Sequence, residues 1–158
     1  MKGLAPVLAS IREVVIRHGG DYPPLVGDVA EILDRYLATR PDFGPLEPPP
    51  HLPYQGELLY EDPLTGFIAV LMSWRAGAAT SIHDHHGTWG VMGILDGGLR
   101  LTNFLRLHDH QVKPAAVIEA RPGDVTWILP PDLDVHSIRN PNPRPARSLH
   151  VYGANIGF

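Results

Sequence analysis

The chain divides where its apolar spacing changes period. Up to about residue 39, apolar side chains recur every three or four positions; from Tyr54 onward they come in short runs between turn residues. Residues 4–18 and 25–39 therefore predict helices. In the second, Val26, Val29, Ala30, Ile32, Leu33, Tyr36 and Leu37 form one stripe, with Asp28, Glu31, Asp34 and Arg35 between them. Gly19-Gly20 supplies a stop for the first helix, and Pro23-Pro24 a start signal ahead of the second. Residues 41–53, PDFGPLEPPPHLP, are too rich in proline for a helix or central strand and predict a stiff extended connector.

The later runs, at 57–60, 66–74, 89–95, 99–107, 117–119, 124–129 and 148–152, have the spacing of an all-β sandwich or barrel. No long helix separates them, which argues against a parallel α/β sheet. The predicted organisation is a helical segment and connector over 1–53 and a β barrel over 54–158, together one structural domain of 158 residues.

Composition narrows the chemistry. There is no cysteine, which removes disulfides, thiolate metal ligands and a cysteine nucleophile together. Asp plus Glu number 17 against 13 Lys plus Arg, with no basic cluster to suit nucleic acid and no apolar stretch of membrane-spanning length. Arg12 and Glu13 interrupt the first apolar run, which argues against a signal peptide and makes a cytoplasmic location the expectation.

The candidate chemistry sits in His83-Asp84-His85 and His136. Two histidines one residue apart on a strand point to the same face, and a third from a neighbouring strand completes a set of three neutral nitrogen ligands. Such a set leaves positions open on a metal ion for substrate and oxygen. By ligand type alone Fe(II), Zn, Cu and Ni all qualify. A second H-D-H, His108-Asp109-His110, follows an alternating strand and precedes a polar hairpin tip at Gln111–Pro114, so it reads as solvated loop. His86 is expected to face away from the set. Trp89 and Met92 read as packing residues, and Tyr60 fits either packing or a pocket wall.

Near the C-terminus, Ser148, His150 and Tyr152 alternate with Leu149 and Val151, so the three polar groups share one strand face. A hydroxyl can orient the imidazole, and the imidazole can hold the phenol at a defined height over an adjacent site. An amphipathic edge strand with one face in water would show the same alternation.

The stretch GAATSIHDHHGTWGVMGILDG resembles the first cupin motif, with Gly77, His83, His85 and Gly97 in place, and RPGDVTWILPPDLDVHSIRN resembles the second, with Gly123, His136 and Asn140. Together with SLHVYG, these segments resemble the cysteine dioxygenase family over about residues 54–158. The resemblance implies a mainly β cupin double-stranded β-helix barrel (jelly roll) with the two helices packed outside. It implies a non-haem Fe(II) enzyme that adds both atoms of O₂ to the sulfur of cysteine or a close analogue, giving a sulfinate. His83, His85 and His136 are then the ligands, with Ser148, His150 and Tyr152 beside them as catalytic residues. A 3-mercaptopropionate or other thiol-carboxylate dioxygenase remains an alternative, as does a non-catalytic metal-binding cupin that binds a small molecule.

Three departures bear on the substrate. Animal members carry a cysteine, cross-linked to the tyrosine, where this chain has Gly90, so the phenol of Tyr152 stays free. Members acting on cysteine place an arginine in a Tyr-x-Arg segment; Tyr54-Gln55-Gly56 has none. Tyr54, Gln55 and Arg75 are accordingly the candidate substrate contacts. The sequence ends at Phe158, shortly after Tyr152, which leads to the expectation that it lacks the C-terminal residues some relatives use around the substrate.

Overall fold

The computed structural model describes residues 3–44 and 48–158; residues 45–47 of the predicted connector lie outside the described residues. The helices are α1 (Leu4–His18) and α2 (Tyr22–Ala38). The second begins three residues before its predicted start, with Pro23 and Pro24 inside its first turn. Proline is harmless there because the first-turn N–H groups have no intrahelical partner. Residues 41–44 and 48–49 form neither helix nor strand, as the proline pattern predicts.

Eight strands follow: β1 (Tyr54–Glu61), β2 (Ile68–Trp74), β3 (Gly90–Asp96), β4 (Leu99–Arg106), β5 (Val112–Ala120), β6 (Val125–Ile128), β7 (Val135–Arg139) and β8 (Ala146–Tyr152). They make two antiparallel sheets, ordered β1-β2-β8-β3-β6 and β5-β4-β7. The predicted hairpin tip at Gln111–Pro114 is overturned from Val112 onward, because β5 runs through Lys113 and Pro114. That strand lies at a sheet edge, where proline's missing N–H breaks no ladder. The strand that carries His136, β7, is absent from the apolar runs because His136, Ser137 and Arg139 interrupt its hydrophobicity.

Two apolar layers result. One lies between the sheets, where Ile68, Val70 and Ile94 meet Leu99, Leu101 and Ile138. The other lies outside the five-stranded sheet, where Ile11, Leu25, Val29 and Leu33 of the helices cover Val91, Leu149 and Val151. With both faces covered, every residue of β2 is buried, which explains its continuous apolar sequence. Each fully buried aliphatic side chain contributes roughly 1.5–3 kcal/mol. Close approach of α2 depends on Gly93 of β3, where a Cβ would stand 2.5 Å from Cδ1 of Leu37.

Asp62, at the turn after β1, ties α1 to the barrel. Its Oδ1 accepts from Nε of Arg12 at 2.6 Å and from the hydroxyl of Tyr60 at 2.8 Å, while Oδ2 accepts from Thr65 N–H and hydroxyl at 2.9 and 2.7 Å. Tyr60 thus belongs to this network rather than to a pocket. Burial alone would raise the Asp62 carboxyl, but the donors from Arg12, Thr65 and Tyr60 together hold it well below its ordinary value.

Candidate metal centre

Pairing of distant segments, rather than one strand, assembles the three imidazoles. His83 and His136 exchange both backbone hydrogen bonds, each N–H donating to the other's carbonyl at 3.0 Å. His136 is also registered opposite Asn103 on β4, so β4 holds it from its other side. The expectation of a strand through His83-Asp84-His85 is corrected here: His83 forms an isolated bridge, and the chain then turns, with His86 at a φ of +54°. The Asp84 carboxylate stabilises that turn by accepting from the His86 N–H at 3.1 Å. His85 still arrives beside His83 because the turn, not strand alternation, aims it inward.

The three rings stand with centroids 4.9 Å apart pairwise, and one ligand nitrogen from each falls within 4.8 Å of the others. His83 donates Nδ1–H to the carbonyl of Ser81 at 2.9 Å, which leaves its Nε2 lone pair for an ion. Both ring nitrogens of His136 and Nδ1 of His85 are buried without any hydrogen-bond partner in the protein. Orphaned buried nitrogens are costly unless something satisfies them, and a cation shared by the three would satisfy one nitrogen of each ring. Burial, reinforced by neighbouring imidazoles, holds His85 down to about 4 and His136 to about 2, so both are neutral donors. The residues present fit a metal ion.

A hydrogen-bonded chain lies alongside. Nε1–H of Trp74 donates to Oγ of Ser148 at 2.9 Å, Oγ lies 2.7 Å from Nε2 of His150, and Nδ1 of His150 lies 2.7 Å from the hydroxyl of Tyr152. Indole N–H can only donate, so of the two groups bonded to Ser148 Oγ only Nε2 of His150 can accept the hydroxyl proton. Burial keeps His150 neutral, down to about 3, so Nδ1 carries its one proton and donates to Tyr152. The phenol's own proton is then free to point elsewhere. Burial also raises the Tyr152 phenol, so it stays protonated. Its ring stacks on His85 at 5.1 Å between centroids, beside the three-imidazole face.

These groups open into a cavity of about 230 Å³. Of the candidate substrate contacts, Tyr54 lines it, but Gln55 and Arg75 do not. Gln55 is exposed on the other face of β1, since side chains alternate. Arg75 instead donates to the carbonyls of Pro48 and Pro49 at 2.7 and 3.3 Å, pinning the connector to the barrel. At the C-terminal end, Ile156, Gly157 and Phe158 form part of the cavity wall. His86, expected to face away, lies exposed at the cavity mouth. His108 and His110 are exposed on a one-turn 3₁₀ segment between β4 and β5, as read from the sequence. Trp89 and Met92 are buried packing residues.

Sequence reasoning missed Trp74 and Phe158. Trp74 could have been found from its place on a strand run, but its link to Ser148 depends on the pairing of β2 with β8. Phe158 carried no local signal.

A two-sheet β barrel with a buried three-histidine metal site and a neighbouring tyrosine defines a metal-dependent cupin. The family model for cysteine dioxygenase type I matches residues 60–156, and the chain belongs to that family. Among solved structures, the cupin domain of Schizosaccharomyces pombe Cnp3 is similar with a TM-score of 0.53 at 16% identity, covering 66% of this chain and 67% of that one. An uncharacterized conserved protein with a double-stranded β-helix domain from Klebsiella pneumoniae is similar with a TM-score of 0.51 at 17% identity, over 70% and 86%. An oxalate oxidase is matched at 18% identity with a TM-score of 0.47, over 58% of this chain and 44% of that protein's length. The first two speak to the fold, a cupin jelly roll, on one sheet of which two helices pack in this chain. No helix among the described residues is long and apolar enough to cross a membrane.

Proposed function

We propose that this protein is a non-haem Fe(II) thiol dioxygenase that adds both atoms of O₂ to the sulfur of a small thiol, giving a sulfinate. The observation that carries the reading is the polarised chain from Trp74 through Ser148 and His150 to Tyr152, set beside three otherwise unsatisfied imidazoles. Membership of the cysteine dioxygenase type I family supports it. Iron bound by His83, His85 and His136 would supply open positions at which thiol sulfur and oxygen are held side by side.

The protein's own part is positioning and proton placement. Tyr152, fixed through His150, holds a donor proton at the cavity edge, where a hydrogen bond to the reacting oxygen or sulfur costs no reorganisation. Ser148 and Trp74 act through His150 by holding its tautomer. Met72 and Ile138 line the wall and limit water around the reacting atoms. Gain from holding two reactants together is the larger part of such catalysis.

Iron-loaded protein supplied with a thiol should consume one O₂ per sulfinate formed, and His136→Ala should not. Absence of both oxygen uptake and sulfinate across small thiols would overturn the reading in favour of a non-catalytic cupin.

A further inference from the structure

The wall opposite the imidazoles has a chemical character of its own. Phe158 lies flat against Tyr152, with ring centroids 6.4 Å apart and planes 9° from parallel. Its place is set by Asn155, whose side-chain carbonyl accepts from the N–H groups of Gly157 and Phe158 at 3.0 and 2.9 Å, and whose amide donates to the Phe158 carbonyl at 3.0 Å. The ring is seated on Gly56 of β1, where a Cβ would stand 2.2 Å from Phe158 Cε1 and 2.9 Å from Met72 Sδ. Position 56 shares Tyr54's side of the strand, so any longer residue there would compete with the ring for the cavity. The remainder of that wall is Tyr54, 5.2 Å from Trp74 between centroids.

Cationic side chains are missing where an anionic tail would need one. Among the described residues no lysine or arginine lines the cavity. Arg75 is committed to the Pro48 and Pro49 carbonyls. Arg106, behind the mouth, is shared by two carboxylates: it donates to Asp84 at 3.0 Å and to Asp134 at 3.1 Å. Asp84 itself lines the cavity. One guanidinium against two carboxylates leaves the mouth net negative. His86, the other imidazole of the wall, lies next to that same Asp84 carboxylate. A carboxylate brought against Phe158 and Tyr54 would lose water without meeting a cationic side chain, and would be repelled by Asp84. An ammonium tail also loses water, but it is attracted by Asp84 and gains from the aromatic faces, and a hydroxyl tail carries no charge to desolvate or repel.

We infer that the substrate is a small thiol without a carboxylate, and that Phe158, seated on Gly56, is the residue that excludes acidic tails. The inference rests on the thiol reading above and deepens it.

Cysteamine and cysteine differ only by the carboxylate, so they form the test pair, with 2-mercaptoethanol and 3-mercaptopropionate as the uncharged and acidic extremes. Affinity is read without turnover, from the sulfur-to-cobalt charge-transfer band of the Co(II)-loaded protein, and separately as kcat/KM for sulfinate with iron. Cysteamine and 2-mercaptoethanol should each exceed cysteine and 3-mercaptopropionate by tenfold or more in both. In the double variant Phe158→Ala/Gly56→Arg the ratio of cysteine to cysteamine affinity should rise at least tenfold. Equal or tighter cobalt-monitored binding of cysteine by the native protein would overturn the inference and leave thiol oxidation standing. A cobalt preference for cysteamine with no sulfinate from any thiol would sustain the tail preference and sink the oxygenase reading. No band with any of the four would overturn both.

Discussion

Gly90 lies directly against the ring of Tyr152: a Cβ at position 90 would stand 2.8 Å from Cδ1 and 2.9 Å from Cε1, with Ile128 also at 2.9 Å. The backbone of β3 is thus the floor beneath the phenol, and the position has no room for a side chain unless the tyrosine moves. Gly90→Ala should shift the ring away from His150 and cost about 1–3 kcal/mol by overpacking. Thermal denaturation should report the stability loss, and turnover should fall while bound metal is unchanged.

Removing the hydroxyl itself separates positioning from packing. Tyr152→Phe keeps the ring on His85 but leaves the Nδ1–H of His150 without its acceptor, at about 1–3 kcal/mol for an unsatisfied buried donor. Turnover should drop about tenfold or more with normal metal content. Full activity in that variant would remove Tyr152 from the mechanism.

Trp74 anchors the serine end of the chain. In Trp74→Phe the Ser148 hydroxyl loses the donor that holds its oxygen in place, so the Oγ–Nε2 hydrogen bond that orients His150 is loosened. Expected is a several-fold lower kcat with little change in KM for the thiol; a change in metal content instead would mark Trp74 as structural only.

Metal should bind at one histidine set. His85→Ala and His136→Ala should each lose most bound metal by elemental analysis, while a His108→Ala/His110→Ala variant should keep it. Excess Fe(II) should raise the melting temperature of the chelator-treated protein, by the equivalent of about 4 kcal/mol at a thousandfold excess over the dissociation constant, and should leave His136→Ala unmoved.

Asp62 makes a pH-dependent contribution to stability. Its carboxyl is lowered in the folded protein from an ordinary value of 3.8, so the folded state favours the ionised form. The stability it supplies is therefore fully present above pH 3.8 and is lost as pH falls through the folded value. Asp62→Asn should melt below the native protein at pH 7, and the gap should narrow steadily as the buffer is taken below about pH 4. A gap independent of pH would show that packing, not charge, is what Asp62 contributes.

Much of this site is legible in the chain because its signals are local. The pair His83 and His85 stands in a recognisable frame of glycines, and Ser148, His150 and Tyr152 declare a shared face through simple alternation on β8. Arg75 and Gln55 lie away from the cavity for the opposite reason: their types suit a carboxylate, but direction is not encoded by type. Arg75 turns to proline carbonyls, and Gln55 turns outward. The helices were equally plain from their apolar stripes, whereas β7 was hidden by the polar residues that interrupt it, buried His136 among them.

The sequence by itself determined the element types, the donor atoms available to an ion and the order of polar groups on β8, since each follows from side-chain chemistry and a backbone period of 3.6 or 2. Only the tertiary structure decided that His136 meets His83 through paired backbone hydrogen bonds, that Trp74 polarises Ser148, and that Phe158 fills the space above Gly56. Those relationships join residues from 53 to 102 positions apart, counted from 83 to 136 and from 56 to 158. Contacts over such separations depend on strand register and on how the chain closes, and no local pattern of residues carries that information.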